Sequence, residues 1–165
     1  MNDAFKIYVE QLRNGHEEDI HEELSPDFIG VNETDLSFTS PVKVDGKAYL
    51  ADDSLILHFD IVTHATIPCA VCNNPVSVEV NIRNFYHAEP LEEIKTGIYN
   101  LQNLLRETIL LDTPQFAECN QGQCAERERL SKYLKTPTSK ADDIAGIKAL
   151  DDEGYRPFSD LELGQ

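Results

Sequence analysis

The chain has 165 residues, 41% of them hydrophobic, and carries 14 Lys+Arg against 30 Asp+Glu for a formal net charge of -16 at pH 7. That length accommodates one domain with a modest core, or one domain with tails, and crowds out two. The charge opposes sequence-independent binding to a phosphate backbone, which rests on cations displacing counterions, whereas it suits a basic partner or simple solubility.

In chain order, the opening Met1-Asn2-Asp3-Ala4-Phe5-Lys6 lacks the charged-then-apolar pattern of a secretory signal, and no apolar run approaches the ~20 residues of a membrane span. A cytoplasmic setting is therefore expected. Residues 5–10 alternate apolar and polar as a first strand, ended by Asn14-Gly15. Residues 16–24 are polar with Ile20 and Leu24 four apart, a spacing that predicts a short helix stopped by Ser25-Pro26. From Thr34 to Tyr86 the pattern is a meander: strands over 36–39, 41–44, 47–50, 54–63 and 76–83, with turns at Asp45-Gly46 and at Ala51-Asp52-Asp53. Ile67-Pro68-Cys69-Ala70-Val71-Cys72-Asn73-Asn74-Pro75 sets a Cys-x-x-Cys pair on the tight turn between the last two strands.

Beyond Glu89-Pro90 the period changes to about 3.6. Leu101, Leu104, Leu105, Thr108, Ile109 and Leu111 form an apolar stripe, with Asn100 placed to cap the helix and Pro114 beyond its end. Cys119 and Cys124 follow, and then a charged segment, 125–135, whose Leu130 and Leu134 suggest a second short helix. The fold class expected is α+β: an antiparallel β meander or partly closed barrel covered by one main helix, with short extra helices and a polar C-terminal linker. Residues 1–135 read as the single domain, 136–154 as a flexible acidic linker, and 155–165 as a terminal segment able to dock back on the domain.

Four cysteines in a cytosolic chain favour a metal or reduced thiols over disulfides. A Cys-x-x-Cys turn lets two thiolates converge on a tetrahedral Zn²⁺, and Cys119 with Cys124 can supply the other two ligands to Cys69 and Cys72. Against a structural zinc site stands a reading in which the thiols carry no metal and close a turn. A thiol redox enzyme using Cys69 and Cys72 is a weaker alternative, because redox pairs sit at a helix N-terminus and here another strand follows. His58, His64 and His87 lie in or beside the flanking strands, where one of them could replace a thiolate, and equally where ordinary solvent-facing strand residues would lie. No glycine-rich phosphate loop, Gly-x-Ser-x-Gly turn or His-Glu-x-x-His segment occurs. Arg127, Arg129, Lys132 and Lys135 form the one basic cluster; without interleaved aromatic residues it reads as a solvated helix face rather than an RNA contact.

Taken together, these pieces resemble the YceD family of large ribosomal RNA subunit accumulation proteins over nearly the whole length. The resemblance lies in the N-terminal strand and helix, the β-rich middle ending in Ile67-Pro68-Cys69-Ala70-Val71-Cys72, and the segment Asn100 to Pro114, where Glu107 and Pro114 stand in the family's places. It continues in the cysteine stretch Cys119 to Cys124 and the closing Arg156-Pro157-Phe158 with Leu161. The chain departs from the family at Val71, where many members carry Arg, and in having fewer cysteines in the second stretch. What the resemblance implies is a non-enzymatic ribosome-biogenesis factor supporting 23S rRNA accumulation. The charge adds that a basic large-subunit ribosomal protein suits it better as a partner than naked rRNA, which would then be engaged indirectly. Direct rRNA binding through the basic cluster is the competing expectation. Oligomeric state and assembly step are left open.

Overall fold

A computed structural model describes residues 3–133. The expected linker 136–154, the terminal segment 155–165, and Leu134 and Lys135 of the expected second helix lie outside them. The architecture is α+β: seven strands, mostly antiparallel, one main helix and several short helical turns, with no closure into a barrel.

The centre is β5 (Ser54–Pro68), a 15-residue strand. One edge of it carries β6 (Pro75–Pro90) along its whole length, from Ser54↔Pro90 to Pro68↔Pro75. The other edge carries β4 (Val42–Ala51) and then, beyond the end of β4, the two-residue β3 (Ser37–Phe38). The sheet ends in β2 (Glu17–Leu24), paired with β4. A separate two-stranded sheet joins β1 (Lys6–Tyr8) to β7 (Ile98–Asn100).

An inward face kept at every second position, with Ile56 buried on the other face as well, explains why β5 is central. Leu55, Leu57, Phe59, Ile61, Thr63, Ala65 and Ile67 are all buried, and they occupy every second position, as one face of a pleated strand requires. Leu55, Leu57, Phe59, Ile61 and Ala65 join Ile7, Leu12, Ile20, Leu24, Ile29, Val42, Val44, Val80 and the helix residues in one continuous core. Burying one such aliphatic side chain contributes about 1.5–3 kcal/mol. The pairing with β6 contains one bulge: Phe59 faces Phe85 and Ile61 faces Ile82, so Arg83 and Asn84 together oppose Asp60. Asn84 takes a left-handed φ of 54°, and its amide donates to Asp60 Oδ1 at 2.7 Å.

Two sequence expectations fail here for identifiable reasons. Residues 16–24 form no helix; Glu17–Leu24 is β2, zipped to β4 through eight pairs from Glu17↔Tyr49 to Leu24↔Val42. Positions four apart share a face in a strand as well as in a helix, so the burial of Ile20 and Leu24 satisfies both periods, and strand pairing decides between them. Nor is Asp45-Gly46 a turn. β4 runs straight through it, with Gly46 opposite Phe59, where a Cβ would run into the carbonyl oxygen of His58 and lie 2.7 Å from the Phe59 Cα. The glycine serves close strand approach rather than chain reversal. The reversal comes at the expected Ala51-Asp52-Asp53, with Asp52 at φ 51°. The first strand is also shorter than the alternation of residues 5–10 suggests, because helical turns flank Lys6–Tyr8.

The expected helix is α1 (Leu101–Asp112). Asn100 Oδ1 accepts from the Gln102 amide at 2.9 Å, capping the first turn as expected. Leu101, Leu105 and Ile109 are buried in the core, and Arg106 Nε donates to the Ile29 carbonyl at 2.8 Å, tying the helix to the turn Pro26–Ile29. Leu111, counted in the stripe on sequence, instead faces solvent at 88% exposure. It falls beyond the arc defined by positions 101, 105 and 109. A short α2 (Arg127–Ser131) stands within the charged segment where a second helix was expected.

Candidate metal centre

The alternation that buries Leu55 to Ile67 continues one step past the end of β5 and turns Cys69 inward, where it is 2% exposed. The chain then reverses within five residues. The Cys69 amide donates to the Asn74 carbonyl at 2.7 Å and the Asn73 amide to the Cys69 carbonyl at 2.9 Å. Asn73 sits at a left-handed φ of 64°, a conformation asparagine tolerates better than most residues. The Cys-x-x-Cys turn at the hairpin tip is thus present as the sequence pattern requires.

The second pair arrives by a contact with no local sequence signal. Ala117 forms a parallel bridge to Cys69, and the Ala70 amide donates to its carbonyl at 2.8 Å, which lays the extended chain after α1 against the hairpin tip. Cys119 follows directly, and its amide donates to Cys69 Sγ at 3.3 Å. Asn120, Gln121 and Gly122 then all take positive φ (56°, 56° and 86°), and this tight reversal brings Cys124 back beside Cys119.

Glu118 holds the reversal closed. Its Oε1 accepts from the Cys124 amide at 2.8 Å and from Arg127 Nε at 2.9 Å, while Oε2 pairs with Arg127 Nη2. The Arg127 guanidinium, together with the Cys124 amide, holds the Glu118 carboxyl down at about 2, well below the usual carboxylate range. Sequence reasoning missed Glu118, since a glutamate nine residues before an arginine has no distinctive pattern in so acidic a chain.

The four sulfurs of Cys69, Cys72, Cys119 and Cys124 all lie within 4.8 Å of one another, an arrangement that could hold a metal ion. Cys72 Sγ and Cys119 Sγ are 3.7 Å apart. A tetrahedron with metal–sulfur bonds of about 2.3 Å has edges of about 3.8 Å, so this pair already stands at coordination spacing. Charge points the same way. The amides of Cys119 and Cys72, with that of Val71, pull the Cys69 thiol down to about 6. Cys119, crowded first by Cys124 and then by Cys72, is pushed up to about 12, and burial pushes Cys124 up. One thiolate forms readily and Cys119 and Cys124 resist following it, a resistance that a bound cation relieves.

The other sequence candidates fall elsewhere. The only group of potential metal ligands among the described residues is the four cysteines, without His58, His64 or His87. His87 Nε2 lies 3.0 Å from Glu89 Oε2 on β6, and its ring stacks with Phe85. Within the basic cluster, Arg127 is bound to Glu118, and Arg129 Nη1 donates to Glu126 Oε2 at 2.8 Å. No helix among the described residues is long and apolar enough to cross a membrane. No protein-family model, curated protein or solved structure matches the chain.

Proposed function

We propose that the four cysteines bind Zn²⁺ as a structural site, and that the protein is a non-enzymatic ribosome-biogenesis factor of the YceD kind that binds a basic large-subunit ribosomal protein. The observation that carries the non-catalytic reading is the closed ligand set. Four sulfurs within 4.8 Å fill a tetrahedral shell without help, whereas a catalytic zinc keeps one position for water or substrate. Soft thiolates favour zinc over hard cations, and the N–H donors on Cys69 Sγ from Val71 and Cys119 are the outer-shell support such ligands take. The position agrees with a structural role: the ion would clamp the β5–β6 tip to the segment after α1.

The partner is argued from charge. At -16, contact with rRNA phosphates is repulsive overall, and the arginines of the one basic cluster that the structure describes are already engaged with Glu118 and Glu126. A basic ribosomal protein, by contrast, is drawn to this surface. The protein would shield such a partner in the cytoplasm and deliver it to 23S rRNA. Elemental analysis of the purified chain, with an expected stoichiometry of one zinc, tests the site. A pull-down from nuclease-treated lysate tests the partner, with ribosomal proteins expected in the eluate. If they vanish while the purified protein retains rRNA fragments at moderate salt, the direct rRNA-binding reading replaces this one.

A further inference from the structure

The four sulfurs are not equivalent. Cys69 and Cys124 are buried, at 2% and 5% exposure, whereas Cys72 and Cys119 are only half-buried. Hydrogen bonding sets Cys69 apart further: its Sγ accepts from the amides of Val71 and Cys119. Cys72 and Cys119, which come from opposite sides of the cluster, stand 3.7 Å apart, sulfur to sulfur.

We infer that Cys72 and Cys119 are a site of oxidative modification, at which a peroxide joins them as a disulfide and ejects the metal while Cys69 and Cys124 remain reduced. The inference rests on the zinc reading, both for the ejected ion and for the thiolate state of all four sulfurs. In a zinc-loaded cluster all four sulfurs are thiolates, so access and residual electron density decide which react. Amide donors withdraw density from Cys69, and burial shields Cys69 and Cys124. Cys72–Cys119 is the one pair in which neither residue is buried. A thiolate of this pair attacks one peroxide oxygen; the O–O bond breaks, hydroxide leaves and a sulfenic acid forms. The second thiolate attacks that sulfur, the S–S bond forms, the S–O bond breaks and a second hydroxide leaves. The two sulfurs have together given two electrons to the peroxide, and solvent protons take up both hydroxides. Closing 3.7 Å to a bond of about 2.05 Å asks for a small movement between two segments already bridged at Ala117. Two thiolates are then left, too few to retain the ion. The cross-link takes over the clamp between the hairpin tip and the segment after α1.

The test treats the full zinc-loaded chain with hydrogen peroxide in the presence of a chromogenic zinc chelator, then maps disulfides and free thiols by peptide mass spectrometry. The expected result is one zinc released per chain with Cys72 linked to Cys119, reversed by reductant and added zinc. A Cys69–Cys72 or Cys119–Cys124 link, or sulfinic acids without a cross-link, would overturn the inference. A preparation that holds no zinc overturns the metal reading and this inference with it, whereas a zinc-loaded chain that links another pair overturns this inference alone. The map is made on the native sequence, so it does not depend on a cysteine variant that folds.

Discussion

Leu55 and Cys69 stand at opposite ends of β5 and both face inward, but what surrounds them differs. Around Leu55, Leu57, Phe59 and Ile61 the sheet and α1 pack many aliphatic side chains into one core. Around Cys69 the hairpin tip and the segment after α1 bring together four sulfurs, an isolated bridge and a carboxylate on an amide. The first region can hold itself by the hydrophobic effect. The second contains thiols that resist ionising together and three consecutive left-handed residues, and it depends on something that outweighs both. The two should therefore fail separately, under different treatments.

The largest effect belongs to the core. Leu57→Ala should lower the unfolding free energy by about 2–5 kcal/mol, measured by urea denaturation, because a fully buried site on a strand paired on both sides cannot collapse around the cavity. Removing the metal should break the other region alone. Chelation is expected to expose residues 70–74 and 113–126 to protease while the strand signal in circular dichroism persists. Complete unfolding would show that the sheet has no stability independent of the ion.

Glu118→Gln sharpens the comparison inside the cysteine region. It leaves all four sulfurs in place but weakens the clamp on the Cys124 amide and the Arg127 pair, and zinc affinity should fall about tenfold in a chelator competition. The smallest effect lies at the far edge of the sheet. Burial raises the Glu18 carboxyl above its ordinary value, and its Oε2 is buried with no hydrogen-bond partner among the described residues. A raised folded-state pKa contributes stability that is present below the unfolded pKa and lost as pH rises through the folded one. The native chain has thus lost that contribution at neutral pH. Glu18→Gln should be more stable at pH 7 by on the order of 0.5 kcal/mol, kept small by partial exposure, with the difference closing in acid. Thermal melts across pH measure it.

The hairpin that carries Cys69 and Cys72 was legible because its strands keep a period of two over long runs and the turn is bounded by prolines and asparagines. The helix was legible through its stripe and the Asn100 cap. β2 was not, since Ile20 and Leu24 suit both periods and only pairing with β4 separates them. Asp45-Gly46 carried a strong turn signal for a reason visible only across the sheet, where Phe59 leaves no room for a side chain. The four cysteines could be named as one set, but their convergence runs through Ala117, a residue without distinguishing chemistry.

The bulge at Arg83 and Asn84 bears on how such a chain can change length over time. The extra residue lies on β6, so the return strand absorbs the mismatch and β5 keeps one uninterrupted phase from Leu55 to Cys69. A residue gained or lost within β5 would rotate everything beyond it by half a pleat and send Cys69 to the solvent side. The same change on β6 can be taken up where a looped-out residue already exists. Insertions and deletions are therefore filtered unequally between two strands that pair along their whole length, and the outgoing strand serves as the ruler against which the cysteine corner is measured.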